Sequence, residues 1–186
     1  MKQLIFATGN ARKIAEANRF LLPYGIEVLP RKVSIDEIQH RDSMKVTQAK
    51  AKAAFMQLQA PVVVSDTSWS IPVLGGFPGA YMKDIAAWLE PEDWVALMSR
   101  HEDKRIFCHE HVAYYDGSES QHFQADYEGY FVSIPRGRDH DEESFEKLVV
   151  LYGNKTLAER LANGEIASAG EELLHWKLFG EWFSSR

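Results

Sequence analysis

The sequence predicts an α/β fold built on a mixed β-sheet. Three observations predict it. Through the first half of the chain, short apolar runs of strand length alternate with segments of helical period. In the second half Asp116-Gly117 separates two strand-like runs, which adds an antiparallel hairpin to that sheet. The composition, 45% hydrophobic and 26% charged over 186 residues, is that of a folded domain with one full core, divisible between two lobes.

Each element follows from local pattern. Leu4 to Ala7 is an apolar run that ends at Thr8-Gly9-Asn10. Ile14, Ala17, Phe20 and Leu21 then recur at helical spacing until Pro23 stops them. The segment therefore reads as strand, tight turn and helix. Ile26 to Leu29 is a second strand, and residues 31–42 are polar and loop-like. A helix follows from about Ser43 to Leu58, with Met44, Ala51, Phe55 and Leu58 as its core-facing stripe. Pro61-Val62-Val63-Val64 is a short buried strand that runs into Ser65-Asp66-Thr67. Gly75-Gly76-Phe77-Pro78-Gly79 is a constrained loop. Short helices fall between Lys83 and Ser99, a strand runs from Arg105 to Tyr115, and its hairpin partner extends to about Val132. Thr156 and Glu159 form a capping box that opens a helix. A last helix covers roughly Glu171 to Phe183, and Trp88, Trp94, Trp176 and Trp182 read as helix core.

The formal net charge of −6 disfavours a protein that wraps nucleic acid, because phosphate binding over a long track needs a basic surplus. A small anion needs only a local basic patch. The single cysteine, Cys108, forms no intrachain disulfide and suits a reducing compartment. The apolar run at Leu4 to Ala7 is too short for a signal segment, and no stretch approaches a membrane span. A cytoplasmic protein is expected.

Candidate chemistry begins at the first turn. With Asn10 as N-cap, Arg12 and Lys13 place two cations where the helix dipole is already positive. A bound polyphosphate would relieve that conflict, with Gly9 allowing close backbone approach and Lys13 leaning back over the turn. An ordinary strand-to-helix turn with two solvated cations accounts for the segment equally well. Asp66 lies just past an apolar strand, where open α/β sheets place ligand groups. It is read either as a carboxylate for Mg²⁺ or water, or as a common turn residue. Glu37 would complete a hard-cation site beside Asp66, and otherwise is a solvated charge. Lys50, flanked by Val46 and Ala54 one turn away, points into a cleft or snorkels at the surface. His109 and His111 share one face of a strand without a third ligand. Residues 139–143 form an acidic loop. Sequence signatures for a P-loop, a nucleophile elbow and a His-Glu-x-x-His metal helix are all missing.

Taken in order, these segments resemble the inosine triphosphate pyrophosphatase family. Phe6-Ala7-Thr8-Gly9-Asn10-Ala11-Arg12-Lys13 is similar to its N-terminal signature, and Val62 to Thr67 to its strand with the catalytic Asp. Leu74 to Tyr81 resembles its Gly-Gly-x-Pro-Gly loop, and Pro135-Arg136-Gly137 and Lys155 to Glu159 its later landmarks. The resemblance spans most of the chain. It implies an elongated two-lobed α/β fold with a cleft between the lobes, formed by one domain over residues 1–186. It also implies a homodimer and Mg²⁺-dependent hydrolysis of non-standard purine nucleoside triphosphates (ITP, dITP, XTP) to the monophosphate and diphosphate. Thr8, Gly9, Asn10, Lys13 and Lys50 would hold phosphates. Glu37 and Asp66 would bind Mg²⁺, with Asp66 also the catalytic carboxylate and Thr67 a substrate contact.

The chain departs from that pattern at the base end. Ser65 stands where the family has an acid before the catalytic Asp. The family's Phe-Gly-Tyr/Trp-Asp-Pro stretch is replaced by residues 141–147, in which Phe145 is the only aromatic and so the candidate base contact. Its Ser-His-Arg is replaced by Ser168-Ala169-Gly170. A pyrophosphatase of altered base specificity and a non-catalytic nucleotide-binding regulator are the alternatives. A structural partner protein using the face of Trp176, Phe179 and Phe183 is a third.

Overall fold

A computed structural model describes residues 1–138, 144–165 and 173–186. Among them the chain forms β1 (Lys2–Ala7), α1 (Ala11–Leu21), β2 (Ile26–Arg31), α2 (Ser43–Leu58), β3 (Val62–Ile71) and β4 (Phe77–Gly79). There follow α3 (Met82–Trp88), α4 (Pro91–Ser99), β5 (Arg105–Tyr115), β6 (Ser120–Phe131), β7 (Val149–Val150), α5 (Leu157–Ala162) and α6 (Leu174–Ser184). The strands make one mixed sheet in the order β2-β1-β3-β5-β6-β7, with β4 also paired to β3. β1 pairs in parallel with β2 and β3, while β4 and β7 are antiparallel to β3 and β6.

The chain divides into two compact units. The first contains Met1–Thr67, Glu110–Ala125 and Glu172–Arg186. Here Ala7, Ala51, Ala54, Val62, Val64 and Ala113 form one apolar cluster. The aromatic face of α6 packs nearby: Trp176 meets Phe6 edge-on at 5.3 Å, and Phe179 meets Phe123 edge-on at 5.7 Å. Core packing thus accounts for the aromatic face of α6. Gly180 belongs to the same packing, since a Cβ there would lie 2.6 Å from the Tyr24 ring.

The second unit contains Ser68–His109 and Asp126–Glu171. Its core includes Trp69, Ile71, Met82, Trp94, Ile106, Cys108, Phe131, Phe145 and Leu148. Gly75, Gly76 and Gly79 all adopt positive φ, which explains the glycines of the constrained loop. The capping box at Thr156 and Glu159 is formed, and Thr156 Oγ1 also donates to Arg136 O at 2.9 Å. A Cβ at Gly137 would lie 2.7 Å from Ala158 Cβ. The Pro135-Arg136-Gly137 segment therefore folds directly against the start of α5.

Two side-chain expectations are corrected. Trp88 is 75% exposed rather than core. The buried face of α2 is Val46, Thr47, Ala51 and Ala54, while Met44 is exposed. Alanines let this helix approach the sheet closely, so the larger side chains flank the contact instead of centring it. The last helix runs over Leu174–Ser184, and the expected start near Glu171 lies outside the described residues.

Candidate active site

The turn between β1 and α1 is held by its own side chains. Asn10 is extended, with φ −82° and ψ 114°, and its Oδ1 accepts from the N–H groups of Arg12 at 2.9 Å and Lys13 at 3.2 Å. The Asn10 N–H donates to Thr8 Oγ1 at 3.1 Å. The N–H groups of Asn10, Arg12 and Lys13 therefore already have partners within the turn and are not free for an anion. These bonds also set polarity. With Oδ1 accepting, the Asn10 NH₂ is left to donate elsewhere, and Thr8 Oγ1 keeps its proton to give. The turn offers an anion mainly side-chain donors. The Lys32 stem lies over Gly9, 3.4 Å from where a Cβ would stand, so a third cation joins Arg12 and Lys13 at this turn.

A cluster of charges forms at the end of the apolar run in β3. Lys13 Nζ donates to Ser65 O at 3.4 Å. Lys50 Nζ lies 2.7 Å from Glu37 Oε1 and 4.0 Å from Asp66 Oδ2. Lys50 reaches this position because Val46 and Ala54, one turn to either side, are buried. Its side chain is only 18% exposed, whereas Glu37 retains 43% and Asp66 25%. The ammonium is withdrawn and the two carboxylates stay open to water. Ser65 is buried next to the partly exposed Asp66. Strand alternation puts neighbouring side chains on opposite faces, so position 65 faces away from Asp66 and contributes only its carbonyl.

Glu37 and Asp66 both face the Lys50 ammonium. Two carboxylates with space for water and phosphate oxygens suit Mg²⁺, which seldom takes an all-protein cage. Among the described residues no group of three or more His, Cys, Asp or Glu side chains could hold a metal. Glu37 and Asp66 are the described carboxylates that could contribute to such a site.

Glu110, Glu16 and His175 are coupled to this cluster through Thr67 and Lys13. Asp66 Oδ1 accepts from Thr67 N–H at 3.0 Å, and Thr67 Oγ1 donates to Glu110 Oε2 at 2.9 Å. The Thr67 hydroxyl proton is thus committed to Glu110. Glu16 is buried on α1, and its carboxyl is pushed up to about 8 by burial, then by Glu110, against the pull of Arg12 and Lys13. Burial pushes the imidazole of His175 down to about 4, with Glu110 opposing and Lys13 adding to the shift. At neutral pH both groups are uncharged. Glu16 therefore does not cancel the charge on Lys13, one turn before it. Sequence reading missed Glu16, Glu110, His175 and Lys32. The available signal was Glu16 beside Ala17 on the apolar stripe of α1, an acid on a face that must bury.

Other expected contacts fall elsewhere. Phe145 is fully buried, with its ring edge-on to Trp69 at 5.0 Å and 6.1 Å from Trp94. It has no open face on which a base can stack, so its reading as a base contact is corrected to a core residue. His109 and His111 have separate polar partners. His109 bonds Ser70 and Asp126, and His111 Nδ1 lies 3.1 Å from His122 Nε2. The acidic run 139–143 and Ser168-Ala169-Gly170 lie outside the described residues.

Known proteins resemble this chain over most of its length. The sequence pattern of the Ham1 family matches residues 4–164. An inosine triphosphate pyrophosphatase from Yarrowia lipolytica is 37% identical over 139 residues, covering 74% of this chain and 73% of that protein. A dITP/XTP pyrophosphatase from Methanosarcina acetivorans is 28% identical over 189 residues, covering both chains fully. A HAM1 protein from Coxiella burnetii superposes with a TM-score of 0.75 at 18% identity over the whole of both chains. The Ham1 protein of Staphylococcus aureus gives 0.72 at 16% identity over 99% of each.

Proposed function

The chain belongs to the Ham1 family, and on that premise we propose that it hydrolyses nucleoside triphosphates of non-standard purines (ITP, dITP, XTP) to the monophosphate and diphosphate. One observation carries the reading to particular residues: Lys50 bridges Glu37 and Asp66 beside a turn that presents Thr8, Asn10 and Lys13. Phosphate oxygens carry negative charge that repels an attacking water. Lys13 and Lys50 offset that charge, and the donors of Thr8 and Asn10 hold the chain in a fixed pose. Gly9 keeps the turn slim enough for close approach. Asp66 is fixed by the Thr67 N–H through Oδ1, which leaves Oδ2 to orient a water and accept its proton. Thr67 acts through its backbone, since its hydroxyl serves Glu110. Glu37 and Asp66 would hold Mg²⁺, which when bound polarises the phosphoryl oxygens and neutralises the leaving diphosphate.

The same reading carries a homodimer and a cytoplasmic location. Among the described residues no helix is long and apolar enough to cross a membrane. The burial of Phe145 favours one variation, a pyrophosphatase whose base preference differs from that of its relatives. The test is to incubate the protein with Mg²⁺ and a panel of standard and non-standard triphosphates, and measure diphosphate. Release with ITP, dITP or XTP supports the reading. Tight nucleotide binding without release from any substrate leaves a regulator instead.

A further inference from the structure

Three side chains on adjacent strands of the second unit form a continuous hydrogen-bonded chain that the nucleotide site does not use. Ser70 Oγ on β3 lies 2.7 Å from His109 Nε2 on β5. His109 Nδ1 lies 2.7 Å from Asp126 Oδ1 on β6. The sheet order brings β3, β5 and β6 side by side, so three distant positions share one face. Ser70 is partly buried, the His109 side chain is 23% exposed and Asp126 is 52% exposed. The Phe107 ring lies against His109, nearly parallel at 15° with centroids 6.4 Å apart, and gives the site one apolar wall.

Proton roles follow from the connectivity. An ionised Asp126 can only accept, so a neutral imidazole carries its proton on Nδ1 and presents a lone pair at Nε2. Ser70 Oγ must then donate to Nε2. That is a hydroxyl nucleophile, a base and an orienting carboxylate in working order, which is recognised by geometry and not by chain position. The roughly equal 2.7 Å distances lie within the range a proton transfer needs.

We propose that Ser70, His109 and Asp126 form a second reactive centre, in which Ser70 is acylated by activated esters or thioesters. Ser70 Oγ attacks the carbonyl carbon and its proton passes to His109 Nε2. The carbon–oxygen or carbon–sulfur bond breaks, and the leaving group departs with the electron pair and takes the proton from His109. Water gives a proton to His109 and attacks the acyl carbon; the carbon–Oγ bond then breaks, Ser70 Oγ takes that proton back from His109, and the carboxylic acid leaves. Asp126 is a positioning residue that holds the imidazole. Ser70 lies inside a strand whose amides serve the sheet ladder, not an oxyanion. The leaving group must therefore lower the barrier, which restricts the class to activated acyl donors.

The test treats the whole protein with p-nitrophenyl acetate and, separately, a fluorophosphonate, and locates the adduct by mass spectrometry. An adduct at Ser70 that forms about 10²-fold more slowly in His109→Gln supports the proposal. Asp126→Asn is expected to slow the reaction while leaving Ser70 as the labelled residue. Asp66→Asn should label at the wild-type rate, which separates this centre from the nucleotide site. Circular dichroism of each variant checks that it is folded. No preferential labelling of Ser70 in the unaltered protein, or labelling indifferent to His109→Gln, overturns the proposal.

Discussion

The surroundings of Lys13 and those of Phe145 solve opposite problems. Around Lys13, polar groups stay partly open and hold one another through short bonds: Thr8 to Asn10, Asn10 to Arg12 and Lys13, Lys50 to Glu37. Around Phe145, Trp69, Trp94 and Leu148 close over the ring. Even the polar atoms there are absorbed locally, since Trp94 Nε1 donates to Ser144 Oγ, which donates to Ala86 O. The first region keeps donors and acceptors available and gives up burial to do so. The second maximises burial and offers a ligand nothing. Chemistry and stability are therefore separable by substitution.

The largest effect expected is at Asp66. Asp66→Asn should lower diphosphate release by about 10²–10³-fold or more with little change in thermal stability, measured by turnover and calorimetry. Full activity in that variant would falsify the assignment of this carboxylate. Phe145→Ala should do the reverse. A loss of about 3–5 kcal/mol in denaturant unfolding is expected, from a cavity between Trp69 and Trp94, with the order of preferred bases unchanged in the protein that remains folded.

Glu16 tests the buried side of the open region. Its carboxyl, ordinarily near 4.5, stays protonated up to about 8 in the folded chain, while the unfolded chain ionises earlier. The stability it contributes is complete below about 4.5, falls as pH rises, and is gone above about 8. Glu16→Gln should therefore gain on the native protein between those limits, by on the order of 3 kcal/mol at the alkaline end in urea titrations. His175 has the opposite sign. Its contribution is present above 6.5 and is lost as pH falls toward about 4.

The smallest effect sharpens the role of the turn. Asn10→Asp keeps an oxygen for the Arg12 and Lys13 amides but removes the NH₂ donors and adds a negative charge. Stability should change by less than about 1 kcal/mol, while KM for the triphosphate rises. An unchanged KM would make Asn10 a helix cap and nothing more.

The sequence by itself determined the elements and the polar turns at the ends of β1 and the apolar run of β3. Thr8 to Lys13 is legible because a cap, a helix start and two cations act within one turn, where sequence distance and spatial distance agree. The Asp116-Gly117 hairpin and the Thr156 capping box are legible for the same reason. Lys50 could be placed on its helix, but the side it faced depended on whether Met44 or Val46 entered the core. Phe145, Trp88 and the Ser70–His109–Asp126 chain were decided only by tertiary structure. Burial depends on which elements arrive over a side chain, and a three-strand contact depends on sheet order and register. Neither is written in local periodicity, because both are set by packing between segments far apart in the chain.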